Sequence, residues 1–190
     1  MIIGAGSAGL ATSYFLSEKN IDHVVLERGE VGNTWDVERW DGFHLVNPNW
    51  AVRLPGFHYV GKEPEGYLSK RETIDYLQNY ARHFNTPVRT GIEIETLAQQ
   101  GDTYRLTTRS GDVIEARCVV VATGAFGVPK TPDYSLKLTG SVHQMHSAEY
   151  KNPDALGDGG ILVVGSGQSG AQIAEELLEA GKQVWLSVGK

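Results

Sequence analysis

Apolar positions near the start of the chain form a pattern that returns near its end. A short apolar run at 1–3 predicts a strand, a glycine turn follows, and apolar residues recur at helical spacing over 8–19. The continuous apolar run at 23–27 is typical of a strand buried in a parallel sheet. From residue 160 the same order returns, with a predicted strand, helix and strand at 161–164, 169–180 and 183–188.

The region between these two units has several elements of its own. No period holds from 28 to 68, a stretch without regular structure that is long enough to suggest a functional role. The next elements predicted are a helix at 70–84, three strands separated by Gly-Asp turns, a buried strand and a short strand near Val142. The four longer strands are expected at 92–98, 104–108, 113–116 and 118–122. These patterns predict an α/β fold with two dinucleotide-binding, Rossmann-like domains and a small antiparallel β-meander.

The first glycine turn fits the pattern G-x-G-x-x-G through Gly4, Gly6 and Gly9. In this motif the first glycine allows a tight turn, the second lets a pyrophosphate approach the backbone, and the third allows close packing of helix on strand. Glu27 lies 23 residues after Gly4, near the distance expected for an acid that binds ribose hydroxyls. The alternative is a glycine-rich loop that binds nothing.

The second turn repeats the motif with Gly165, Gly167 and Gly170. No acid stands at the matching strand end, where Ser187 and Lys190 are found. Because an acid there favours NAD and a basic residue accommodates a 2′-phosphate, this composition favours NADPH. Two such turns predict two bound dinucleotides and hydride transfer between them, most simply from NAD(P)H to a flavin.

Composition narrows the class of protein further. Glycine supplies 23 of 190 residues, above the usual share of about 7%. A formal charge of −6 and a pI near 5.5 argue against a sequence-independent nucleic-acid binder. The single cysteine, Cys118, is expected in the core and excludes an internal disulfide. No apolar run reaches the length of a membrane span, and no metal-ligand spacing is present. We therefore expect a soluble, cytoplasmic protein without a metal site.

Several segments resemble the flavin-containing monooxygenases, a family of class B flavoprotein monooxygenases. The resemblance is strongest to their bacterial, YUCCA-like branch and covers essentially the whole chain. It is carried by GAGSAGLATSYFL at the first turn, Gly32-Asn33-Thr34-Trp35, RWDGFHLVNPNWAVRLPGF, Ala122-Thr123-Gly124, and His146-Ser147-Ala148-Glu149-Tyr150 before VVGSGQSGAQIAEEL.

The resemblance implies FAD at the first turn and NADPH at the second. It assigns FAD contacts to the first-turn residues, the end of the next strand, the segment beside the flavin, the meander and the strand end before the linker: Gly4, Gly6, Ser7, Gly9, Glu27, Arg28, Gly32, Thr34, Trp35, Ile94, Ala122, Thr123 and Gly124. It assigns NADPH phosphate contacts to Gly165, Gly167, Gln168, Ser169 and Gly170. An asparagine near the flavin is expected to be catalytic, with Asn49 favoured over Asn47. The alternative for Asn49 is a turn residue beside Pro48.

The implied activity is oxygenation of a small substrate that contains nitrogen, sulfur or a carbonyl, using O2 and a flavin C4a-hydroperoxide. Two alternatives stay open: an FAD-dependent NAD(P)H oxidoreductase that only reduces acceptors, and a non-catalytic flavin- or nucleotide-binding sensor module or inactive fragment. We expect residues 1–155 to form an FAD-binding domain and residues 156–190 to begin an inserted NAD(P)H-binding domain. The short first strand and the abrupt end at Lys190 predict that the chain is incomplete at both ends.

Overall fold

A four-stranded parallel sheet organises the first part of the molecule. The computed structural model describes residues 1–125, 127–138 and 140–189. The strands are, in chain order, β1 (Ile2–Ile3), β2 (Val25–Leu26), β3 (Arg53–Leu54), β4 (Phe57–His58), β5 (Val88–Arg89), β6 (Ile94–Gln100), β7 (Thr103–Thr108), β8 (Val113–Ala116), β9 (Val120–Val121), β10 (Gly160–Val164) and β11 (Gln183–Ser187). The parallel sheet has the order β5-β2-β1-β9, as expected for a dinucleotide-binding unit.

The helices follow the apolar periodicity closely. They are α1 (Ser7–Glu18), α2 (Asn33–Val37), α3 (Lys70–His83) and α4 (Gln168–Glu179), with 3₁₀ turns at Asn49–Ala51, Asp133–Lys137 and Pro153–Ala155. The three long helices lie within one residue of the predicted ranges. Helix α3 begins at a capping box in which Ser69 and Glu72 bond reciprocally, and it buries Leu77 and Tyr80 against the core below α1.

An antiparallel meander, β6-β7-β8, follows β5 in the chain and forms a separate sheet. Gly101 and Gly111 have positive φ in its two turns, as the Gly-Asp turns predicted. The Ile92 amide donates to the Glu27 carbonyl at 2.9 Å, so the meander starts beside the end of β2. The α/β class, with a parallel sheet and a small meander, is therefore confirmed.

The second unit is a parallel pair, β10 and β11, connected by α4. Its helix packs against the first part of the chain through a separate cluster of buried apolar side chains. That cluster consists of Trp40, Phe43, Tyr150, Ile173 and Leu177. The second glycine turn is therefore held against the first unit by packing.

Three expectations were wrong in detail. The 118–122 strand forms only at Val120–Val121, and both valines and Cys118 are exposed because β9 is an edge strand of the sheet. Val142 lies in a bend, since an isolated apolar residue among polar neighbours has no strand to pair with. The aperiodic 28–68 stretch contains α2 and the β3–β4 hairpin, both too short to leave a periodic signal.

Candidate functional site

The first glycine turn is built by close backbone contacts at Gly4 and Gly9. Gly4 has a φ of +101°, and a Cβ there would lie 2.5 Å from the Ala122 carbonyl oxygen. A Cβ on Gly9 would overlap the Gly4 carbonyl oxygen. Both positions therefore require glycine for the fold itself, and Ala122 is placed directly against the turn.

The middle glycine is different, because nothing in the protein fills the space beside it. A Cβ on Gly6 would have no atom within 4 Å. Gly6 is the N-cap of α1, and the first intrahelical bond runs from the Leu10 amide to its carbonyl at 3.0 Å. The amides of Ser7, Ala8 and Gly9 thus have no partner inside the helix, and the first turn carries no acid. This open, amide-lined end fits a phosphate group.

Glu27 joins the end of β2 to the glycine turn. Its Oε2 accepts from the Ala5 amide at 2.7 Å, and its Oε1 accepts from the Gly29 amide at 3.1 Å. The side chain is only 8% exposed. A carboxylate offers about four acceptor positions, so two backbone bonds leave capacity for ribose hydroxyls. The sequence did not predict that this acid also fixes the shape of the turn.

The segment after Glu27 places the next candidates on α2. Gly32 is its N-cap with a φ of +87°, and a Cβ there would lie 3.3 Å from Ile74. Thr34 is exposed, whereas Trp35 is half-buried and packs both against the core below α1 and against the cluster around Trp40. Arg28 is exposed and pairs with Glu38 at 2.7 Å.

The remaining first-site candidates lie on the neighbouring strand ends. Ala122 donates its amide to the Ile3 carbonyl at 2.8 Å, which aligns the end of β9 with the turn. Thr123 and Gly124 follow it and are exposed, and Gly124 has a φ of +83°. Ile94 is half-buried at the start of β6, beside a bulge in its pairing with β7.

The second glycine turn has nearly the same backbone geometry as the first. Gly165 has a φ of +105°, and a Cβ on Gly170 would overlap the Gly165 carbonyl oxygen. Gly167 is the N-cap of α4 and has open space beside it. Gln168 and Ser169 begin the helix and are exposed.

The backbone pairing defines which residue in the second unit matches Glu27. The Gly4 amide donates to the Leu26 carbonyl at 2.7 Å, and the Gly165 amide donates to the Ser187 carbonyl at 2.9 Å. Ser187 therefore corresponds to Leu26, and Val188 corresponds to the acid. Lys190, the other residue considered for this strand end, lies outside the described residues.

Asn47 and Asn49 have very different surroundings. Asn49 is buried. Its side-chain Nδ2 donates to the Glu63 carbonyl at 2.9 Å, and its backbone amide donates to the Gly66 carbonyl at 2.8 Å. Its Oδ1 is buried without a hydrogen-bond partner in the described part of the chain. Asn47 is exposed, and its side chain makes no hydrogen bond to the residues that the structure describes. Asn49 therefore connects two loop segments, and Asn47 has the free amide.

Within the described ranges 1–125, 127–138 and 140–189, no cluster of three or more His, Cys, Asp or Glu side chains could hold a metal ion. No helix in those ranges has the length and apolar character needed to cross a bilayer.

Comparison with known proteins places these turns in a family context. A model of the pyridine nucleotide-disulphide oxidoreductase family matches residues 1–190. An uncharacterized CzcO-like oxidoreductase of Geobacillus kaustophilus is 40% identical over 190 residues, which are all of this chain and 53% of that protein. The indole-3-pyruvate monooxygenase YUCCA1 of Oryza sativa subsp. japonica is 31% identical over 184 residues, which are 95% of this chain and 45% of the relative.

A solved structure supports the same relationship. The flavin-containing monooxygenase from Stenotrophomonas maltophilia superposes with a TM-score of 0.88 at 29% identity, and the match covers all of this chain and 57% of that one. The resemblance to YUCCA-like and flavin-containing monooxygenases is thus confirmed. The chain spans about half the length of the curated relatives it matches.

Proposed function

The chain belongs to the pyridine nucleotide-disulphide oxidoreductase family, and from that premise we propose that it binds FAD at the first glycine turn and NADPH at the second. We assign residues 1–155 to an FAD-binding domain and residues 156–190 to the start of an NAD(P)H-binding domain. The proposed activity of the protein is that of an NADPH-dependent flavoprotein monooxygenase.

The observation that carries the proposal is the repetition of one phosphate cradle in two places. Gly4 and Gly165 have φ values within 4° of each other, at +101° and +105°. Gly6 and Gly167 both cap a 12-residue helix and leave the space beside them open. A single turn of this kind is compatible with many nucleotides. Two turns in one chain support a pair of dinucleotides that exchange a hydride.

The chain's own residues would hold and orient the two cofactors. The amides at the start of α1 and α4 would bind the pyrophosphates, and Glu27 would bind the adenosine ribose of FAD with its remaining acceptor positions. Bound FAD supplies hydride acceptance and, once reduced, reactivity toward O2. The other residues that the resemblance assigns to the two sites are proposed contacts with the same cofactors.

We expect the second glycine turn to prefer NADPH to NADH because the second unit has no acid at the strand end. Val188 stands where the first unit has Glu27, so no carboxylate there would repel a 2′-phosphate. The expected order of affinity is therefore NADPH over NADH. Titration of each cofactor against the FAD-loaded protein checks this order.

Of the two asparagines, Asn47 is the better candidate for a group that contacts substrate or flavin. Its side-chain amide is exposed, whereas the side-chain amide of Asn49 already donates to the Glu63 carbonyl. This reverses the preference that the sequence alone suggested. Asn47→Ala should then lower the yield of oxygenated product per NADPH, while Asn49→Ala should lower stability first.

The experiment that tests the function follows the FAD-loaded protein through both half-reactions. Anaerobic NADPH should bleach the visible flavin absorbance, and O2 should then restore it. With a panel of an amine, a sulfide and a ketone, one of them should gain a single oxygen atom. Flavin that is bleached with no oxygenated product would support an acceptor-reducing oxidoreductase instead. Flavin that binds without being bleached by NADPH would support a sensor.

A further inference from the structure

The side chain of Gln172 on α4 holds the backbone of His44, a residue 128 positions earlier in the chain. Its Nε2 donates to the His44 carbonyl at 3.0 Å, and its Oε1 accepts from the His44 amide at 3.3 Å. Because a carbonyl only accepts and an amide only donates, the two bonds fix which way the Gln172 amide faces. Both hydrogen-bonding groups of one backbone residue are therefore satisfied by one side chain.

The N–H and C=O groups of His44 are available to Gln172 because the residues on either side of His44 make the bonds to the paired segment. Residues 43–45 form an antiparallel bridge with residues 68–70, in which His44 faces Ser69. The two bonds of this bridge are Leu45 N to Leu68 O at 2.8 Å and Lys70 N to Phe43 O at 2.9 Å. In an antiparallel pair, every second residue directs its own N–H and C=O away from the partner strand, and His44 is such a residue. Gln172 therefore takes the place of a neighbouring strand.

This contact fixes orientation in a way that the apolar packing beside it does not. Ile173 and Leu177 of α4 pack against Trp40, Phe43 and Tyr150. Apolar burial is non-directional and would tolerate rotation of the helix. Hydrogen bonds weaken steeply as they bend, so two bonds to a single residue restrict that rotation.

One helical turn further on, Glu176 makes a second polar contact with the first part of the chain. Its Oε2 accepts from the Tyr150 hydroxyl at 2.8 Å. A Cβ on Gly42 would overlap the same carboxylate, so the segment before His44 must lie close to α4. The polar contacts thus form a row along one side of the helix.

The contact lies close to the second glycine turn. Gln172 is five residues after Gly167, which places it roughly 7 Å along the helix from that N-cap. On the other side, His44 is bound through residues 68–70 to the capping box of α3, and α3 packs in the core beneath α1. A continuous series of hydrogen bonds and apolar packing contacts therefore leads from one glycine turn to the other.

We propose that Gln172 is a positioning residue: by holding the His44 backbone, it sets the orientation of the second glycine turn relative to the first. It thereby aligns the hydride donor of NADPH with its acceptor on FAD. The inference rests on the proposed function for its effect on hydride transfer, but the effect on orientation stands apart from it.

The kinetic test compares Gln172→Met with Glu175→Gln in the FAD-loaded protein. Methionine keeps the length of the side chain and removes both hydrogen bonds. Glu175 is exposed on the same helix and its side chain makes no hydrogen bond or ion pair within the described ranges, so it serves as the matched control. Anaerobic stopped-flow mixing with NADPH separates the limiting rate of flavin reduction from the NADPH dissociation constant.

We expect Gln172→Met to lower the limiting rate about tenfold or more, since a misplacement of about 1 Å can cost about 10²-fold. FAD content should be unchanged, and the NADPH dissociation constant should change much less than the rate. If Gln172→Met does not fold, Gln172→Glu provides the test, because it keeps the shape but loses the donor to the His44 carbonyl. A reduction rate equal to that of the control would overturn the alignment role.

A structural readout separates failure of this inference from failure of the proposed function. Cys118 and a cysteine introduced at Leu178 are both exposed, so spin labels at the two positions report the distance between the units. Gln172→Met should broaden the distance distribution, and Glu175→Gln should leave it narrow. An unchanged width would overturn the inference whatever the kinetics. A broadened width in a protein that NADPH never reduces would support the positioning role and contradict the proposed function.

Discussion

The two glycine turns share a backbone conformation but differ in what surrounds them. At Gly4 the end of β9 lies against the turn, and the Glu27 carboxylate holds the adjacent Ala5 amide. At Gly165 no atom lies within 4 Å of a Cβ position, and Val188 stands in place of the acid. The positive φ is therefore a requirement of the turn itself, while the close approach of a third strand is a requirement of the first unit.

This difference separates three roles that a single motif combines. The first glycine provides a backbone conformation, the last provides contact between helix and turn, and the middle one provides empty space. The last role should be equally strict at both turns, since a Cβ overlaps a backbone carbonyl in each. The requirement for glycine at the first position should be stricter at Gly4 than at Gly165. Substitution of the middle glycine should weaken ligand binding and leave the fold intact.

The largest effect is expected for Gly9→Ala and Gly170→Ala. Each added Cβ overlaps the carbonyl of its own turn, and we expect a loss of about 3 kcal/mol in the free energy of unfolding for Gly9→Ala. That corresponds to a fall in Tm of about 6–12 °C for a chain of this size. Thermal unfolding followed by circular dichroism measures it. A Gly9→Ala protein with the parent's Tm would show that α1 does not pack closely on its turn.

Gly4→Ala and Gly165→Ala test the difference between the two surroundings directly. Both introduce a side chain at positive φ, which costs about 1–3 kcal/mol. Only Gly4→Ala adds a contact of 2.5 Å with the Ala122 carbonyl, so it should be the more destabilising of the two. Chemical denaturation of the two variants side by side gives the comparison. Equal losses would mean that β9 does not constrain the first turn.

Gly6→Val and Gly167→Val should have little effect on folding and a selective effect on cofactors. At both positions an added Cβ has no protein atom within 4 Å, so the fold has room there, although the poorer N-cap costs about 1 kcal/mol or less. The valine would occupy the approach path of a pyrophosphate. Gly6→Val protein should therefore purify without flavin colour. Gly167→Val protein should stay yellow and need more NADPH for reduction. A yellow Gly6→Val protein would contradict the assignment of the first turn.

Much of the fold could be predicted because, as in the glycine turns, the deciding signals come from residues that are close together in the sequence. The helices α3 and α4 bury apolar side chains at helical spacing, α1 buries Leu10 beside the small residues Gly9 and Ser13, and the meander turns are marked by glycines at positive φ. These signals depend on neighbouring positions in the sequence. Strand β5 and the β3–β4 hairpin were missed because two-residue strands leave no period.

What sequence reasoning missed in the candidate site depends on contacts between distant residues. Nothing near Gln172 in the sequence indicates His44, and nothing near Asn49 indicates the Glu63 carbonyl. The exposure of Cys118 likewise follows from the sheet order, which places β9 at an edge.

The smallest expected effect concerns the carboxylate of Asp41, which joins two distant segments within the first unit. Asp41 accepts from Asn152 Nδ2 at 2.8 Å and from Lys70 Nζ at 3.1 Å, and these bonds lower the pKa of its carboxyl group. A carboxyl with a lower pKa in the folded state contributes stability above its unfolded pKa, near 3.9. That contribution is lost as the pH falls through the folded pKa.

Asp41→Asn should therefore lower Tm at neutral pH by a small amount, since the carboxylate is largely exposed and solvent screens the pair. The difference from the parent protein should shrink on acidification and vanish once the carboxyl group is protonated. Asp102→Asn is the matched control, because Asp102 lies in an exposed turn and makes no ion pair within the described residues. Its difference in Tm should not follow the same pH dependence. A Tm difference for Asp41→Asn that persists at low pH would mean that the hydrogen-bond geometry, and not the charge, holds these segments of the first unit together.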